Sequence, residues 1–251
     1  SIPQDNPYVG NPIFRPETYA YGLRNPWRIT TDAKVGHIWV GNNGQDLWEQ
    51  VYLVRPKDNY GWSVYEGGNI FYAERKQGPD PHVKPTAEHH HNEARSLTGG
   101  VVYHGAKFPE LTGAYIYGDH STGRIWGIKH DGKKVTWHKL LADTAFNISG
   151  FVLDKQGEVL VLDHRSNGEG GMYHLDPIPT EIAAPVFPRK LSESGLFKNV
   201  AKHEMADGVI PYSVNSPLWS DGAHKERFIA IPAIEGRDMK IEFNTGKSWK
   251  F

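Results

Sequence analysis

The sequence contains no cysteine. This absence excludes disulfide bonds, thiolate nucleophiles, cysteine-ligated zinc and covalently attached haem from the sites that the chain can build. The chain also lacks a charge excess, because 28 lysines and arginines face 29 acidic residues among its 251 residues. Such a balance offers no general field for nucleic acid or for an anionic membrane. No apolar run approaches the roughly 18 residues that a spanning helix needs, and the sequence therefore predicts no membrane span.

Helical periodicity is scarce as well. The best candidate for a helix is the short stretch 191–200, where Ser192 could cap the first turn. The composition instead includes 27 glycines, 17 prolines, 12 tyrosines and 8 tryptophans, which is typical of short strands joined by turns. The sequence therefore predicts an all-β protein.

Three segments share one pattern, in which a glycine precedes an apolar strand and the strand ends in a turn with Asn or Asp. The glycines are 77 and then 44 residues apart, close to two repeats and one repeat of about 40 residues. This period predicts a β-propeller, with about four blades in residues 14–177 and a long loop near residue 75. A β-sandwich of unrelated hairpins is the alternative, but the repeated turn chemistry favours the propeller. The glycines are Gly36, Gly113 and Gly157, and the turn residues are Asn42, Asp119 and Asp163.

A change of composition marks a domain boundary near residue 178. Four prolines lie between residues 177 and 188, which predicts a stiff linker. We therefore expect a partial propeller in residues 1–177, and a linker with the start of a second, mainly β domain in residues 178–251. Because the chain begins without methionine and stops inside a strand-like pattern, we interpret it as an internal fragment.

The stretch "YGLRNPWR" contains the first candidate site. Pro26 pushes Asn25 toward extended geometry, so Arg24 and Asn25 stand on a stiffened backbone. An arginine fork beside an amide can bind a carboxylate or a quinone oxygen at two points. The structural alternative is that Arg24 pairs with a loop carboxylate and Asn25 caps a turn.

The turn Asn43-Gly44-Gln45 is the second candidate site. A tight turn with glycine leaves backbone carbonyls free, and such oxygens are good ligands for hard cations. An ordinary Asn-Gly turn is the alternative. For Trp62, which follows in an aromatic segment, buried packing is favoured over stacking on a planar ligand.

Histidines offer weaker candidates. His89, His90 and His91 are adjacent, so on a strand their side chains alternate and at most two could meet one metal ion. A solvated or aromatic-packed loop is the preferred interpretation. The pairs Asp119-His120 and Asp163-His164 recur at one position of the repeat, which favours a structural role for each aspartate over catalysis.

Six motifs in series resemble the glucose/sorbosone dehydrogenase family. They span residues 15–163 and are "RPETYAYGLRNPWR", "GQDLWEQV", "NYGWSVYEG", "RSLTGGVVYHG", "FPELTGAYIYGDHSTGRIWGI" and "GEVLVLD". Members of this family are sugar dehydrogenases that depend on pyrroloquinoline quinone (PQQ) and are built as six-bladed β-propellers. The resemblance implies that fold, with a C-terminal extension after residue 177.

The resemblance also implies site residues. The Arg-Asn pair of the R-N-P motif contacts the cofactor in the family, which implies that Arg24 and Asn25 bind PQQ. The turn Asn43-Gly44-Gln45 matches the position where an amide and backbone carbonyls meet PQQ and calcium, so Gly44 and Gln45 are the implied calcium ligands. Calcium makes the quinone carbon that accepts hydride from an aldose more electrophilic.

Partners and location follow from the same resemblance. It implies a sugar substrate, a periplasmic or secreted bacterial protein, and an electron carrier such as a cytochrome c domain beyond Phe251. The family's catalytic base is a histidine well ahead of the R-N-P motif, so we expect it N-terminal to this chain and assign no catalytic residue within it.

The late part of the repeat departs from the family. Lysine and arginine residues that would face the PQQ carboxylates are replaced there by His120, Thr122, Asn147 and Ser149. Related "STGRI" segments occur in Hedgehog-interacting-protein relatives, which bind proteins. A non-catalytic binding module for a glycan or a protein is therefore the competing hypothesis, and a purely structural spacer is a third.

Overall fold

The computed structural model describes residues 2–165, 168–177 and 188–231. The chain divides into two compact units, residues 1–177 and residues 178–251. The described residues form short β-strands and two single 3-10 turns, Pro109–Leu111 and Leu191–Glu193. They include no helix of the length and apolarity that crossing a membrane requires. The prediction of an all-β chain is confirmed.

The first sheet of unit 1 has four antiparallel strands in the order β1-β2-β3-β6. An insertion at residues 55–86 separates β3 from β6 and carries the hairpin β4-β5. It includes the long loop that the sequence predicts near residue 75. The strands are β1 (Pro26–Asp32), β2 (His37–Asn42), β3 (Trp48–Val54), β4 (Tyr65–Glu66), β5 (Asn69–Ile70) and β6 (Ala87–His90).

Two further sheets complete the described part of unit 1. The second is a four-stranded meander in the order β10-β9-β8-β7, and the third has the order β11-β12-β13. Three sheets thus have blade form among the described residues, where the repeat spacing predicts about four. The strands are β7 (Leu97–Val102), β8 (Tyr115–Asp119), β9 (Arg124–His130), β10 (Val135–Asp143), β11 (Ile148–Leu153), β12 (Val159–Asp163) and β13 (Gly171–His174).

The sheets pack face to face through two apolar clusters. Trp39 of the first sheet stacks on Tyr115 of the second, with ring centroids 5.0 Å apart. On its other face the second sheet packs Ile116 and Ile125 against Phe151 of the third. Because β8 has neighbours on both faces, all five of its residues are buried, which explains its continuous run of strand-forming residues.

The first strands of the three sheets lie side by side, and β7 contacts both β1 and β11. Thr30 of β1 donates a 2.6 Å hydrogen bond to the Gly100 carbonyl, and Thr98 of β7 donates one of 2.6 Å to the Ile148 carbonyl. We call the region where β1, β7 and β11 converge the hub. This packing of successive small sheets is that of a partial β-propeller, which confirms the predicted fold class.

Each sheet repeats one hydrogen-bonded turn at the same end. The last residue of the second strand uses a side-chain oxygen to accept the backbone N–H of the residue that precedes the first strand. The residue after the second strand then donates its backbone N–H to the carbonyl of that same preceding residue, at 3.1, 2.9 and 2.9 Å in the three sheets. The structural role predicted for Asp119 and Asp163 is confirmed. The three acceptor pairs are Asn42 with Asn25 (3.0 Å), Asp119 with Ser96 (2.6 Å) and Asp163 with Asn147 (2.8 Å).

His89 lies in the core, and because His89 and His90 belong to strand β6, the interpretation of this segment as a loop is wrong. The His89 side chain is buried, with Nε2 2.9 Å from the Tyr117 hydroxyl and Nδ1 3.2 Å from the Glu93 carboxylate. His90 packs edge-on against Trp48, and His91 faces Glu49. The part of the chain that the structure describes contains no cluster of three or more His, Cys, Asp or Glu that could hold a metal ion.

Burial of His89 makes the stability of unit 1 depend on pH. Desolvation lowers the pKa of His89 below its ordinary value, although the neighbouring Glu93 carboxylate acts in the opposite direction. An unfolded histidine binds its proton near pH 6.5, whereas the folded one binds it only at lower pH. The contribution of neutral His89 to the free energy of unfolding is therefore fully present above the unfolded pKa. It is lost as the pH falls through the folded pKa, by at most about 1.4 kcal/mol per pH unit.

We expect His89→Gln to flatten this dependence. Urea unfolding at pH 7, 6 and 5 measures the free energy of unfolding of each variant. His174→Gln replaces an exposed histidine and should leave the slope of the wild type unchanged. Equal slopes for wild type and His89→Gln would contradict the assignment of this slope to His89.

Unit 2 contains two small antiparallel hairpins among its described residues. The stretch 191–200 is not the predicted helix: a 3-10 turn ends at Glu193, and Gly195 follows with φ +73°. The predicted proline linker lies largely outside the described residues. The hairpins are β14 (Phe197–Asn199) with β15 (Glu204–Met205), and β16 (Val209–Pro211) with β17 (Phe228–Ala230).

Candidate functional site

The five predicted site residues lie together at one end of the first sheet. Arg24 Nε donates a 2.8 Å hydrogen bond to Gln45 Oε1, and Arg24 Nη1 donates one of 3.3 Å to the Asn43 carbonyl. The Asn43 N–H in turn donates to the Asn25 carbonyl at 3.1 Å. The segment before β1 and the β2-β3 turn are thus bonded to each other, with Gly44 at the centre of the turn. Arg24 makes no ion pair with a described residue, whereas the structural alternative required it to pair with a loop carboxylate.

Trp62 from the insertion packs onto this cluster. The Arg24 guanidinium carbon lies 5.6 Å from the Trp62 ring centroid, within cation–π range. The ring also stacks on Phe71, at 5.5 Å between centroids and 27° between planes. Trp62 is only half-buried, so its ring holds the arginine from the insertion side rather than filling the core.

The Glu66 carboxylate holds the β2-β3 turn through its backbone N–H groups. This residue is 4% exposed, and its Oε1 accepts the N–H groups of Gln45 at 2.6 Å, Asp46 at 2.7 Å and Leu47 at 3.1 Å. A carboxylate that receives several backbone donors fixes the path of a loop and needs no cation to be buried. Gly44 is required here, because a Cβ would lie 1.7 Å from the Trp48 carbonyl oxygen.

Glu49 sets the orientation of the Asn43 amide. Its buried carboxylate accepts Asn43 Nδ2 at 3.0 Å and the Leu97 N–H at 2.9 Å, and its second oxygen lies 3.0 Å from His91 Nε2. Burial raises the pKa of Glu49, while the Leu97 N–H and His91 act against that rise. Because Asn43 Nδ2 donates to this carboxylate, the Asn43 amide oxygen faces the other side.

The oxygens left over at this turn suit a hard cation. Asn43 Oδ1 is buried without a hydrogen-bond partner. The carbonyls of Gly44 and Gln45 accept no hydrogen bond from any described residue. Neutral amide and carbonyl oxygens are ligands that calcium accepts. The donor set therefore fits calcium, and Arg24, whose Nη2 also lacks a described partner, fits an acidic or quinone oxygen beside it.

Glu66, Glu49 and the placement of Trp62 over Arg24 escaped the sequence analysis. A usable signal existed for Glu49, which is the only charged residue of the strand segment "LWEQVYLV" and is 1% exposed. A charged residue in such a strand is buried against partners. Glu66 gave no comparable signal, because its contacts are 18 to 21 residues away in sequence.

Three of the four late positions have side chains that are hydrogen-bonded within the protein. Thr122 Oγ1 donates to Asp119 at 3.1 Å, and Ser149 Oγ donates to the Leu162 carbonyl at 3.2 Å. Asn147 Nδ2 donates to the His120 carbonyl at 3.2 Å. Thr122, Asn147 and Ser149 are uncharged residue types, and His120 is half-buried.

Comparisons with known proteins identify the scaffold. Residues 1–174 match the family model described as Glucose / Sorbosone dehydrogenase. The HIPL1 protein of Arabidopsis thaliana is 36% identical over 139 residues, which are 50% of this chain and 20% of that protein. A solved glucose dehydrogenase gives a TM-score of 0.58 at 26% identity, over 71% of this chain and 51% of that chain.

A second solved structure shares the fold. It is the PQQ-bound aldose sugar dehydrogenase of Streptomyces coelicolor, with a TM-score of 0.52 at 20% identity over 68% of this chain and 48% of that one. The chain therefore spans 20% of HIPL1 and about half of each solved structure. The family match covers most of unit 1 and includes every predicted site residue. This chain belongs to the glucose/sorbosone dehydrogenase family.

Proposed function

We propose that unit 1 contributes the cofactor-binding side of a PQQ-dependent aldose dehydrogenase. The observation that supports this most directly is the β2-β3 turn, where a buried Asn43 oxygen and two backbone carbonyls lack partners beside a clamped arginine. PQQ is a flat quinone with three carboxylates, and calcium at its quinone edge would make it a better hydride acceptor.

The roles of the residues follow from their contacts. Asn43 Oδ1 and the carbonyls of Gly44 and Gln45 would hold calcium, while Glu66 keeps their turn in shape. Arg24, fixed by Gln45, would direct its free Nη2 at an oxygen of the cofactor. A guanidinium fixed in advance loses little conformational entropy on binding.

The proposal extends to the whole protein. A sugar would be oxidised at a hydroxyl-bearing carbon, and the electrons would leave through an external carrier or a downstream cytochrome c domain. A periplasmic or secreted location belongs to the same proposal. The histidines at residues 89 and 91 are not proposed as the general base, since both are held by protein partners.

Arg24→Ala tests the proposed function. We expect the dissociation constant for PQQ in the presence of calcium to rise about 10- to 100-fold, because a charged hydrogen bond contributes about 1.5–3 kcal/mol. Isothermal titration calorimetry on the full-length protein measures it. The matched control is Arg55→Ala, just after β3 at the opposite end of the first sheet, which should bind as the wild type does.

A binding module without catalysis is the second candidate. It is favoured by one observation, namely that Thr122, Asn147 and Ser149 are uncharged and already bonded within the protein. Wild-type protein that shows no calcium-dependent binding of PQQ would reject the dehydrogenase proposal and favour this candidate, whose ligand would be a glycan or a protein.

A further inference from the structure

Arg28 is a second arginine near the candidate site, on the hub side of β1. It pairs with Gly41 across the sheet, shortly after the segment that carries Arg24. Its side chain is exposed. Arg28 Nη2 donates a 3.0 Å hydrogen bond to the Ser149 carbonyl of β11. The guanidinium of the first sheet thus reaches the first strand of the third sheet.

Two glycines make this reach possible. The register of the first strand shifts at the same place in each sheet, between Pro26 and Arg28, Leu97 and Gly99, and Ile148 and Gly150. Arg28 therefore has Gly99 and Gly150 as its counterparts. A Cβ at Gly99 would lie 2.9 Å from Arg28 Cβ, and a Cβ at Gly150 would lie 2.9 Å from Arg28 Nη2. Side chains at either glycine would displace the arginine.

Most of the hydrogen-bonding capacity of Arg28 is unused. A guanidinium has five N–H donors, and the single hydrogen bond of Arg28 to a described residue uses one of them. No described carboxylate pairs with it. A structural brace between β1 and β11 would need only that one contact, whereas Nε, Nη1 and the second N–H of Nη2 donate to no described residue. Guanidinium groups bind carboxylates in a bidentate manner.

We propose that Arg28 binds a carboxylate of the ligand at the hub and replaces the positive charge that the late positions lack. The inference rests on the proposed function, because it assigns the carboxylate to PQQ. Arg24 would then serve one side of the cofactor and Arg28 another. The alternative role, a brace only, predicts a change in stability without a change in affinity.

Calorimetry with PQQ and calcium on the full-length protein tests this. Arg28→Gln should raise the dissociation constant about tenfold or more, Arg28→Lys should recover part of the affinity, and Arg55→Gln should have no effect. If Arg28→Gln unfolds more easily but binds PQQ as tightly as the wild type, the residue is only a brace and the inference is wrong. Should Arg28→Gln not fold, Gly150→Ala moves the same guanidinium without removing its charge and should also weaken binding.

A second measurement separates this inference from the proposed function. Wild-type protein that does not bind PQQ rejects the proposed function. The anion site is then judged by titrating citrate and following the arginine Nε–H resonances by NMR, with assignment from Arg28→Lys. A saturable shift of the Arg28 resonance, absent for Arg55, supports a carboxylate site. No shift overturns it.

Discussion

Gly44→Ala is expected to destabilise the protein by about 3 kcal/mol and to abolish calcium-dependent binding of PQQ. The added methyl group would lie 1.7 Å from the Trp48 carbonyl oxygen and 2.7 Å from Glu66 Oε1. The carbonyl belongs to the first residue of β3, so it cannot move without disturbing the sheet. Relief must come from the turn, which would withdraw Gln45 from Glu66. Urea unfolding and calorimetry measure the two effects.

The matched control is Gly36→Ala in the β1-β2 turn. No heavy atom lies within 4 Å of the place that the added methyl group would take, but φ is +73°, so strain of about 1–2 kcal/mol is the only expected effect. PQQ binding should persist in this variant. If Gly44→Ala proves no less stable than Gly36→Ala and binds PQQ normally, the β2-β3 turn does not need glycine at residue 44 to keep its shape.

The sequence predicted the main parts of the candidate site because those parts are local. Arg24 and Asn25 precede β1, and residues 43–45 join β2 to β3. In an antiparallel sheet these two positions lie at the same end, so the repeat pattern alone brings them together. Glu66 and Trp62 reach the site from the insertion at residues 55–86, whose path depends on contacts such as the 2.8 Å bond from Tyr21 to Asp80. No periodicity encodes such a path.

Arg28 shows a different limit of prediction. Its position on β1 could be predicted, but its contact with Ser149 spans 121 residues and depends on glycine at both counterpart positions. The equivalence of Arg28, Gly99 and Gly150 becomes visible only when the strand registers of the three sheets are compared. The stretch 191–200 failed for a local reason: its polar residues suit a turn as well as a helix, and Gly195 adopts a left-handed conformation that ends the turn.

Asp119→Ala is expected to destabilise unit 1 by about 4 kcal/mol. Asp119 is 0% exposed and accepts the N–H groups of Arg95 (2.8 Å), Ser96 (2.6 Å), Ser121 (2.9 Å) and Thr122 (2.8 Å). Alanine would leave these donors without their acceptor at four part-buried hydrogen bonds. Urea unfolding of the full chain measures the loss.

Asp119→Asn and Asp163→Ala determine whether the number of donors accounts for that loss. In Asp119→Asn one oxygen becomes an NH2 group facing two donors, so about half of the loss should remain. The first sheet has an amide, Asn42, at the equivalent position, and its Nδ2 group donates to the Gln50 side chain. At residue 119 both side-chain oxygens face donors among the described residues, so an NH2 group there would have no acceptor. Among the described residues, one backbone N–H and one arginine N–H donate to Asp163, so Asp163→Ala should be about 2 kcal/mol less destabilising than Asp119→Ala. Equal losses for the two alanine variants would show that burial at the turn, and not its donors, dominates.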